Sequence, residues 1–173
     1  MTDDQDWERR VAALWERIDE HEPADFRDRV AGLAAERPDG DPAALFEQGA
    51  AHDSTGLPEQ AVAYYRRALD LGLTGLRRRA VIQMASSLRN LGRPDRAVEL
   101  LTAEQALPAD RLDADEKALS GAVDAFLALA LADTGRDREA ASLALGALAP
   151  LLPRYNRSLA HYARALLTAP DGS

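Results

Sequence analysis

The first apolar side chains of the chain lie at the spacing of one helix face. This first set comprises Trp7, Val11, Leu14, Trp15 and Ile18. Pro23 interrupts the pattern, because proline removes a backbone donor, and a second helical pattern then runs through Phe26, Val30 and Leu33. The two segments predict a helical hairpin over residues 1–40.

Three later segments share one pattern. Each has a small residue inside a helical stretch, a glycine seven positions later and an alanine five positions after the glycine. The small residues are Gly49, Ala85 and Ala128, the glycines are Gly56, Gly92 and Gly135, and the alanines are Ala61, Ala97 and Ala140. A residue just past a helix often has positive φ, so each glycine predicts a tight turn between two helices. The small residues let those helices approach closely.

Prolines and acidic residues mark where helices begin. Pro58 and Pro94 fall near the first position of a helix, where a missing N–H costs nothing. Asp41 is a favourable N-cap before Pro42. These signals place helix starts on both sides of the predicted turns.

Two further signals complete the pattern. Asp113 and Glu116 have the spacing of a capping box, which opens the third unit. An amphipathic last helix is predicted by Leu159, Tyr162, Ala163, Leu166 and Leu167. The whole chain is therefore expected to be all-α, with about nine helices: two in the N-terminal hairpin, six in the three repeated units and one at the end.

The repeated unit resembles the tetratricopeptide repeat, a helix–turn–helix motif of about 34 residues. The stretches 78–92 and 152–159 are similar to a bacterial, mainly actinobacterial, group of these repeats called group 5. The resemblance covers roughly residues 40–168. It implies a right-handed superhelix of antiparallel helical hairpins in one continuous domain. Residues 1–40 would be a degenerate capping hairpin, and residues 41–173 would hold three repeats and a C-terminal capping helix.

The resemblance also implies where a partner binds. In this family the first helix of each unit lines the concave groove, and the corresponding positions here are Phe46, Asp53, Arg79, Ile82, Ser86, Arg89, Asn90 and Leu129. If the last helix acts as a fourth first helix, Arg154, Arg157, His161 and Arg164 join them on one stripe. Such a groove would suit an acidic peptide or a free C-terminal carboxylate. The alternative is that these arginines are ordinary solvated residues.

Composition narrows the classes of partner and location. The formal net charge is −8, which disfavours binding to nucleic acid or to an anionic membrane surface. The chain has no cysteine, and none of its apolar runs approaches the ~20 residues of a membrane span. With the acidic start at residues 1–6, these features favour a cytoplasmic location.

Sequence signals of catalysis are missing. The three histidines, His21, His52 and His161, are far apart and lack the spacing of a helical metal site. The chain contains no glycine-rich phosphate loop, and its carboxylates fall mostly on helix starts and solvated faces. We therefore expect a protein–protein interaction scaffold without enzymatic activity, cofactor or metal. Two alternatives stay open: a self-assembly module forming a homodimer, and a regulatory module of a neighbouring signalling or transcription protein.

Overall fold

The computed structural model of the protein describes residues 3–168. This range is all-helical, as the sequence predicts, with ten α-helices joined by turns and short 3₁₀ segments. The helices are α1 (Asp3–Trp15), α2 (Pro23–Ala34), α3 (Pro42–Ser54), α4 (Pro58–Asp70), α5 (Arg77–Asn90), α6 (Pro94–Gln105), α7 (Ala114–Ala118), α8 (Ser120–Asp133), α9 (Asp137–Leu148) and α10 (Asn156–Thr168). No helix within residues 3–168 has the length and apolar character needed to cross a membrane.

The predicted count of nine helices misses α7. The capping box is present, since the Asp113 carboxylate accepts from the Glu116 N–H at 2.8 Å and the Glu116 carboxylate accepts from the Asp113 N–H at 3.2 Å. The helix that it opens ends after five residues, and Leu119 separates it from α8. Side chains bond the carbonyls at this break: Arg78 donates to the Glu116 carbonyl and Ser120 donates to the Lys117 carbonyl, both at 2.8 Å.

The predicted helix starts are confirmed. The Asp41 carboxylate accepts a hydrogen bond from the Ala44 N–H at 2.9 Å, which caps α3. Pro42, Pro58 and Pro94 all lie at the first turn of their helices. An N-cap and a proline together supply the partners and the φ angle that a helix start requires.

The predicted turns are confirmed as well. Gly56, Gly92 and Gly135 have φ angles of 79°, 69° and 76°, in the region that favours glycine. Each glycine stands between the two helices of one hairpin, α3–α4, α5–α6 and α8–α9. The repeated segments therefore fold as three helix–turn–helix units.

The chain forms two compact units, Met1–Leu76 and Arg77–Ser173. In the first unit, α3 packs against α4, and α2 packs against α3. Trp7 is buried and its indole donates to the Leu33 carbonyl at 2.8 Å. Trp15 packs edge-on against Phe26, with 4.9 Å between ring centroids. Trp7 is thus a core residue of the N-terminal hairpin, and the half-buried Trp15 packs against the core.

Gly49 sets the close approach of α3 and α4. A Cβ atom built at Gly49 would lie 2.8 Å from the Tyr65 ring, which is closer than van der Waals contact. The Tyr65 ring is fully buried, as is Ala61 one turn earlier on α4. The glycine therefore leaves room for an aromatic ring between the two helices of the first repeat.

In the second unit each helix packs on its neighbours in repeat order. The α5 helix contacts α6 and α8, α6 contacts α8, and α8 contacts α9. The core between them is made of small and branched side chains, including Ala85, Leu101, Val123 and Ala130. The α10 helix packs on α9. This unit carries most of the residues predicted to bind a partner.

Candidate partner-binding site

The first helices of the second and third repeats lie side by side and run in the same direction. Near their N-terminal ends, Arg78 of α5 donates to the Ser120 hydroxyl of α8 at 2.8 Å. At their C-terminal ends, the Arg89 Nε donates to the Asp133 carboxylate at 2.6 Å. The two contacts join residues 42 and 44 positions apart. Residues about 43 positions apart therefore stand level on α5 and α8, which places Leu129 beside Ser86.

A buried ion pair fixes the N-terminal end of this helix pair. The Arg78 and Glu104 side chains are only 3% and 1% exposed, and the Arg78 Nε lies 3.2 Å from the Glu104 Oε1. Arg77 donates to the other carboxylate oxygen at 2.8 Å. Within residues 3–168 no buried side-chain nitrogen or oxygen lacks a hydrogen-bond partner. The network ties α5, α6 and the α7–α8 junction together, and sequence reasoning missed it.

The face of α5 and α8 holds several of the predicted binding residues. Arg79 and Asn90 are exposed and Ser86 is half-buried. Leu129, a large apolar side chain in the middle of α8, is 47% exposed. Ile82 is almost fully buried and belongs to the core beneath this face. We call the surface formed by Arg79, Ser86, Arg89, Asn90 and Leu129 the α5/α8 face.

The positive charge of Arg89 on the α5/α8 face is partly offset by a neighbouring carboxylate. The Arg89 side chain is 19% exposed and is paired with Asp133, whose side chain is 41% exposed. The carboxylate offsets much of the guanidinium charge at this end of the face. Sequence reasoning missed this pair because Asp133 lies one position beyond the groove pattern.

The first unit holds Phe46 and Asp53, the other two predicted residues of the repeat hairpins. Phe46 is fully buried and packs on Tyr65, with 5.9 Å between ring centroids. The prediction that its side chain lines an open groove is therefore wrong: Gly49 admits the Tyr65 ring close to α3, and that ring packs on Phe46. Asp53 is half-buried near the end of α3.

The predicted stripe on the last helix is only partly formed. Arg157, His161 and Arg164 are exposed on α10 at spacings of four and three residues, which places them on one side of the helix. Arg154 lies outside the stripe because α10 begins at Asn156, after Pro153 and a Tyr155 with a φ of 65°. The main neighbour of α10 is α9, whereas a fourth first helix would also pack beside α8 as α8 does beside α5.

The described residues offer little for metal or acid–base chemistry. Within residues 3–168 no group of three or more histidine, aspartate or glutamate side chains is placed to hold a metal ion. The His52 Nδ1 is 2.7 Å from the Gln48 carbonyl, and the His21 Nδ1 is 3.2 Å from Asp25. His52 thus bonds within α3, and His21, which precedes α2, has its partner in the first turn of α2.

Comparison with known proteins identifies the repeat. A family model described as the tetratricopeptide repeat matches residues 42–166, which includes the three hairpins and most of α10. No curated protein and no solved structure matches the chain significantly. The match covers well over half of the chain and coincides with the helix–turn–helix units, their turn glycines and their small packing residues. The chain therefore belongs to the tetratricopeptide repeat family, of the group 5 kind.

Proposed function

We propose that this protein binds an acidic segment, or a free C-terminal carboxylate, of a partner protein on the α5/α8 face. Its family supports a protein–protein interaction scaffold as the general role, because tetratricopeptide repeats are generally non-catalytic interaction modules. The proposal adds to this role a surface and a chemical class of partner.

The observation that carries the proposal is the combination of Arg79, Arg89 and the exposed Leu129 on the α5/α8 face. Contacts at both ends of α5 and α8 hold the two helices in register. Leu129 stands about level with Ser86 along this pair and is exposed, whereas Leu127 and Leu131, two positions to either side, face the core. One exposed leucine has little meaning alone, but beside charged groups that can orient a ligand it offers an apolar contact to a bound segment.

The arginines of the α5/α8 face favour a carboxylate ligand. Arg79 stands near the beginning of α5 and Arg89 near its end, on either side of Leu129 along the face. A guanidinium group binds a carboxylate through two parallel hydrogen bonds, as a planar donor pair matched to two oxygens. A segment with an apolar side chain near the middle and carboxylates toward its ends would fit this arrangement.

The test is selection of ligands from a random peptide library with free carboxyl termini, followed by calorimetric titration of the selected peptides. We expect enriched peptides to be acidic, and Arg89→Glu or Leu129→Asp to weaken their binding about tenfold or more, the effect of losing a charge-assisted or apolar contact. Arg96→Glu on α6 is the matched control and should change the affinity less than about twofold. A library that yields no enrichment, or equal affinity for all four proteins, would contradict the proposal.

A further inference from the structure

Exposed apolar side chains are concentrated near the C-terminal end of the described chain. Seven large hydrophobic residues are exposed within residues 3–168, and five of them fall between positions 148 and 168. The five are Leu148, Leu151, Tyr155, Tyr162 and Leu167. Of these five side chains, Leu167 lines a cavity of the second unit.

A cavity lies beside one flank of α10. It has a volume of about 250 Å³ and is bounded by α6, α8, α9 and α10. Leu127 and Leu131 of α8 and Leu143 of α9 supply apolar lining, and Leu167 of α10, 58% exposed, stands on its wall. Polar groups of Thr102, Gln105, Arg136, Glu139 and Ser142 complete the lining. The lining is mixed, with four leucines and five polar residues, and the cavity has room for one large apolar side chain against the leucines.

Cationic side chains continue from this cavity along α10. Arg157, Ala160, Arg164 and Leu167 follow the i, i+3, i+7, i+10 spacing of one helix stripe, so both arginines lie on the cavity side of the helix. No acidic residue occurs from position 140 to position 168, in a chain whose net charge is −8. Neither Arg157 nor Arg164 forms an ion pair with another residue of the range 3–168.

Two charged residues that line the cavity form an ion pair with each other. Arg136 donates to Glu139 through Nε at 2.8 Å and through Nη2 at 2.6 Å. The hydrogen bond from Arg136 holds the pKa of Glu139 below its ordinary value. Among the described residues, the arginines near the cavity without a carboxylate partner are Arg157 and Arg164 of α10 and Arg138 of α9, whose Nε donates to the Leu166 carbonyl at 3.0 Å.

We propose that the cavity and the stripe formed by Arg157, Ala160, Arg164 and Leu167, together the α10 surface, bind an acidic amphipathic helix of a partner protein. The partner helix places a large apolar side chain in the cavity and its carboxylates against Arg157 and Arg164. This is helix-in-groove recognition, in which apolar anchors give affinity and charges fix the orientation. The α10 surface shares no residue with the α5/α8 face, so either proposal can fail alone.

Charge argues for a partner of this kind over a second copy of the chain. Two copies that met through their α10 surfaces would bring Arg157 and Arg164 of one against the same residues of the other. Like charges facing one another across an interface destabilise it. An acidic helix removes this repulsion and supplies the carboxylates that the segment 140–168 lacks.

The probe is a synthetic amphipathic peptide of about 15 residues, long enough to form a helix, with leucine on one face and glutamate on the other. Two control peptides have lysine in place of glutamate, or the same composition in scrambled order. Binding of each fluorescently labelled peptide to the full chain is followed by anisotropy at two salt concentrations. We expect saturable binding of the acidic helix alone, weakened by salt because exposed charges contribute.

Protein variants then locate the site. We expect Arg157→Glu with Arg164→Glu to weaken binding of the acidic helix about tenfold or more, and Leu167→Ser to weaken it severalfold. Arg66→Glu with Arg111→Glu makes the same change in net charge elsewhere and should leave binding within about twofold. Circular dichroism of each variant establishes that it is folded, and Arg89→Glu should bind the probe normally whatever becomes of the α5/α8 proposal.

Three outcomes overturn the inference. The first is equal binding of the acidic, lysine and scrambled peptides, and the second is an equal loss in the Arg66/Arg111 control. The third comes from sedimentation velocity: a concentration-dependent dimer that Leu167→Ser dissociates would show that a second copy occupies the α10 surface. A concentration-independent monomer that binds the acidic helix in a manner dependent on Arg157 and Arg164 supports it.

Discussion

Arg78 and Glu104 form an ion pair that is closed off from solvent, although 26 residues separate them in the sequence. The Arg78 guanidinium also donates to the Ser120 hydroxyl and to the Glu116 carbonyl, so one side chain connects three helical segments. Because both partners are almost completely buried, removal of either one leaves a charge in a poorly solvated place. This pair anchors the end of α5 that carries Arg79 on the α5/α8 face.

Glu104→Gln should destabilise the second unit by roughly 3–5 kcal/mol, because it leaves the buried Arg78 guanidinium without a counter-charge. Urea unfolding followed by circular dichroism measures the loss. The replacement of both partners, Arg78→Met with Glu104→Met, should cost less than the sum of the two single changes. Glu99→Gln, which breaks an exposed pair with Arg96, is the control and should cost less than about 1 kcal/mol. Equal costs for Glu104→Gln and Glu99→Gln would refute this role of the pair.

Gly49→Ala should destabilise the first unit by about 1–3 kcal/mol, the usual cost of overpacking. The added methyl would meet the Tyr65 ring at 2.8 Å, and that ring is fully buried and has little freedom to move. Gly32→Ala is a matched control, because it also replaces a helical glycine but has no atom within 4 Å of the new Cβ. It should stabilise the protein by about 0.5–1 kcal/mol through helix propensity. Thermal unfolding that ranks the two variants the other way would show that the α3–α4 contact is loose.

The Arg10–Glu36 pair predicts a pH effect. Arg10 donates to the Glu36 carboxylate at 2.8 Å, and this hydrogen bond, aided by the arginine's charge, holds the pKa of Glu36 below its ordinary value. A carboxyl whose pKa is lowered in the folded state stabilises the fold above its unfolded pKa, and this stabilisation is lost as the pH falls through the folded pKa. Arg10→Met should therefore return the pKa of Glu36 toward its ordinary value and reduce the pH dependence of stability in the acid range.

An NMR titration of the carboxyl carbons measures this change, and Glu20 provides an internal reference. The hydrogen bond from Arg17 is the main cause that lowers the pKa of Glu20, so that pKa should stay low in Arg10→Met. An unchanged pKa of Glu36 in the variant would mean that the pair does not form in solution.

Asp133→Asn should strengthen binding of acidic peptides to the α5/α8 face by a few-fold, about 0.5–1 kcal/mol. The Asp133 carboxylate bonds to the Arg89 Nε at 2.6 Å and therefore competes with an incoming carboxylate. Calorimetric titration of the peptides selected for the proposed function measures the gain. Asp124→Asn, on the same helix and bonded by Gln105, should have less effect. Weaker binding by Asp133→Asn would instead mean that Asp133 is needed to orient Arg89.

Local sequence signals determined most of the fold correctly. A positive φ at Gly56, Gly92 and Gly135, and the N-cap at Asp41, are requirements of the backbone within a few residues of each position. Such signals can be read without knowledge of the tertiary structure. The small residues can also be read from the sequence alone, because they lie close to a turn and the hairpin packs them against each other. The predicted number of helices was one too low because the break at Leu119 was missed. A hydrogen bond from the distant Arg78 to the Glu116 carbonyl stabilises that break.

Features that depend on distant partners could not be predicted. The sequence Arg77-Arg78-Arg79 contains three identical side chains, and Arg78 is the buried one, with partners that lie 26 to 42 positions away in the sequence. Phe46 falls at a groove position of the repeat pattern, yet the Tyr65 ring packs against it from the next helix. The position of a residue in the repeat predicts which side of the helix it lies on. Whether that residue is buried depends on the size of the side chains that pack against it.

Hydrogen–deuterium exchange of the full chain, with and without a selected acidic peptide, tests the central claim of binding on the α5/α8 face most directly. Helix amides exchange more slowly where a ligand suppresses local opening. We expect slower amide exchange in the peptides covering α5 and α8 when the ligand is bound, and we expect Arg89→Glu to abolish this effect. Protection confined to other helices, or an identical response in Arg89→Glu, would contradict this claim.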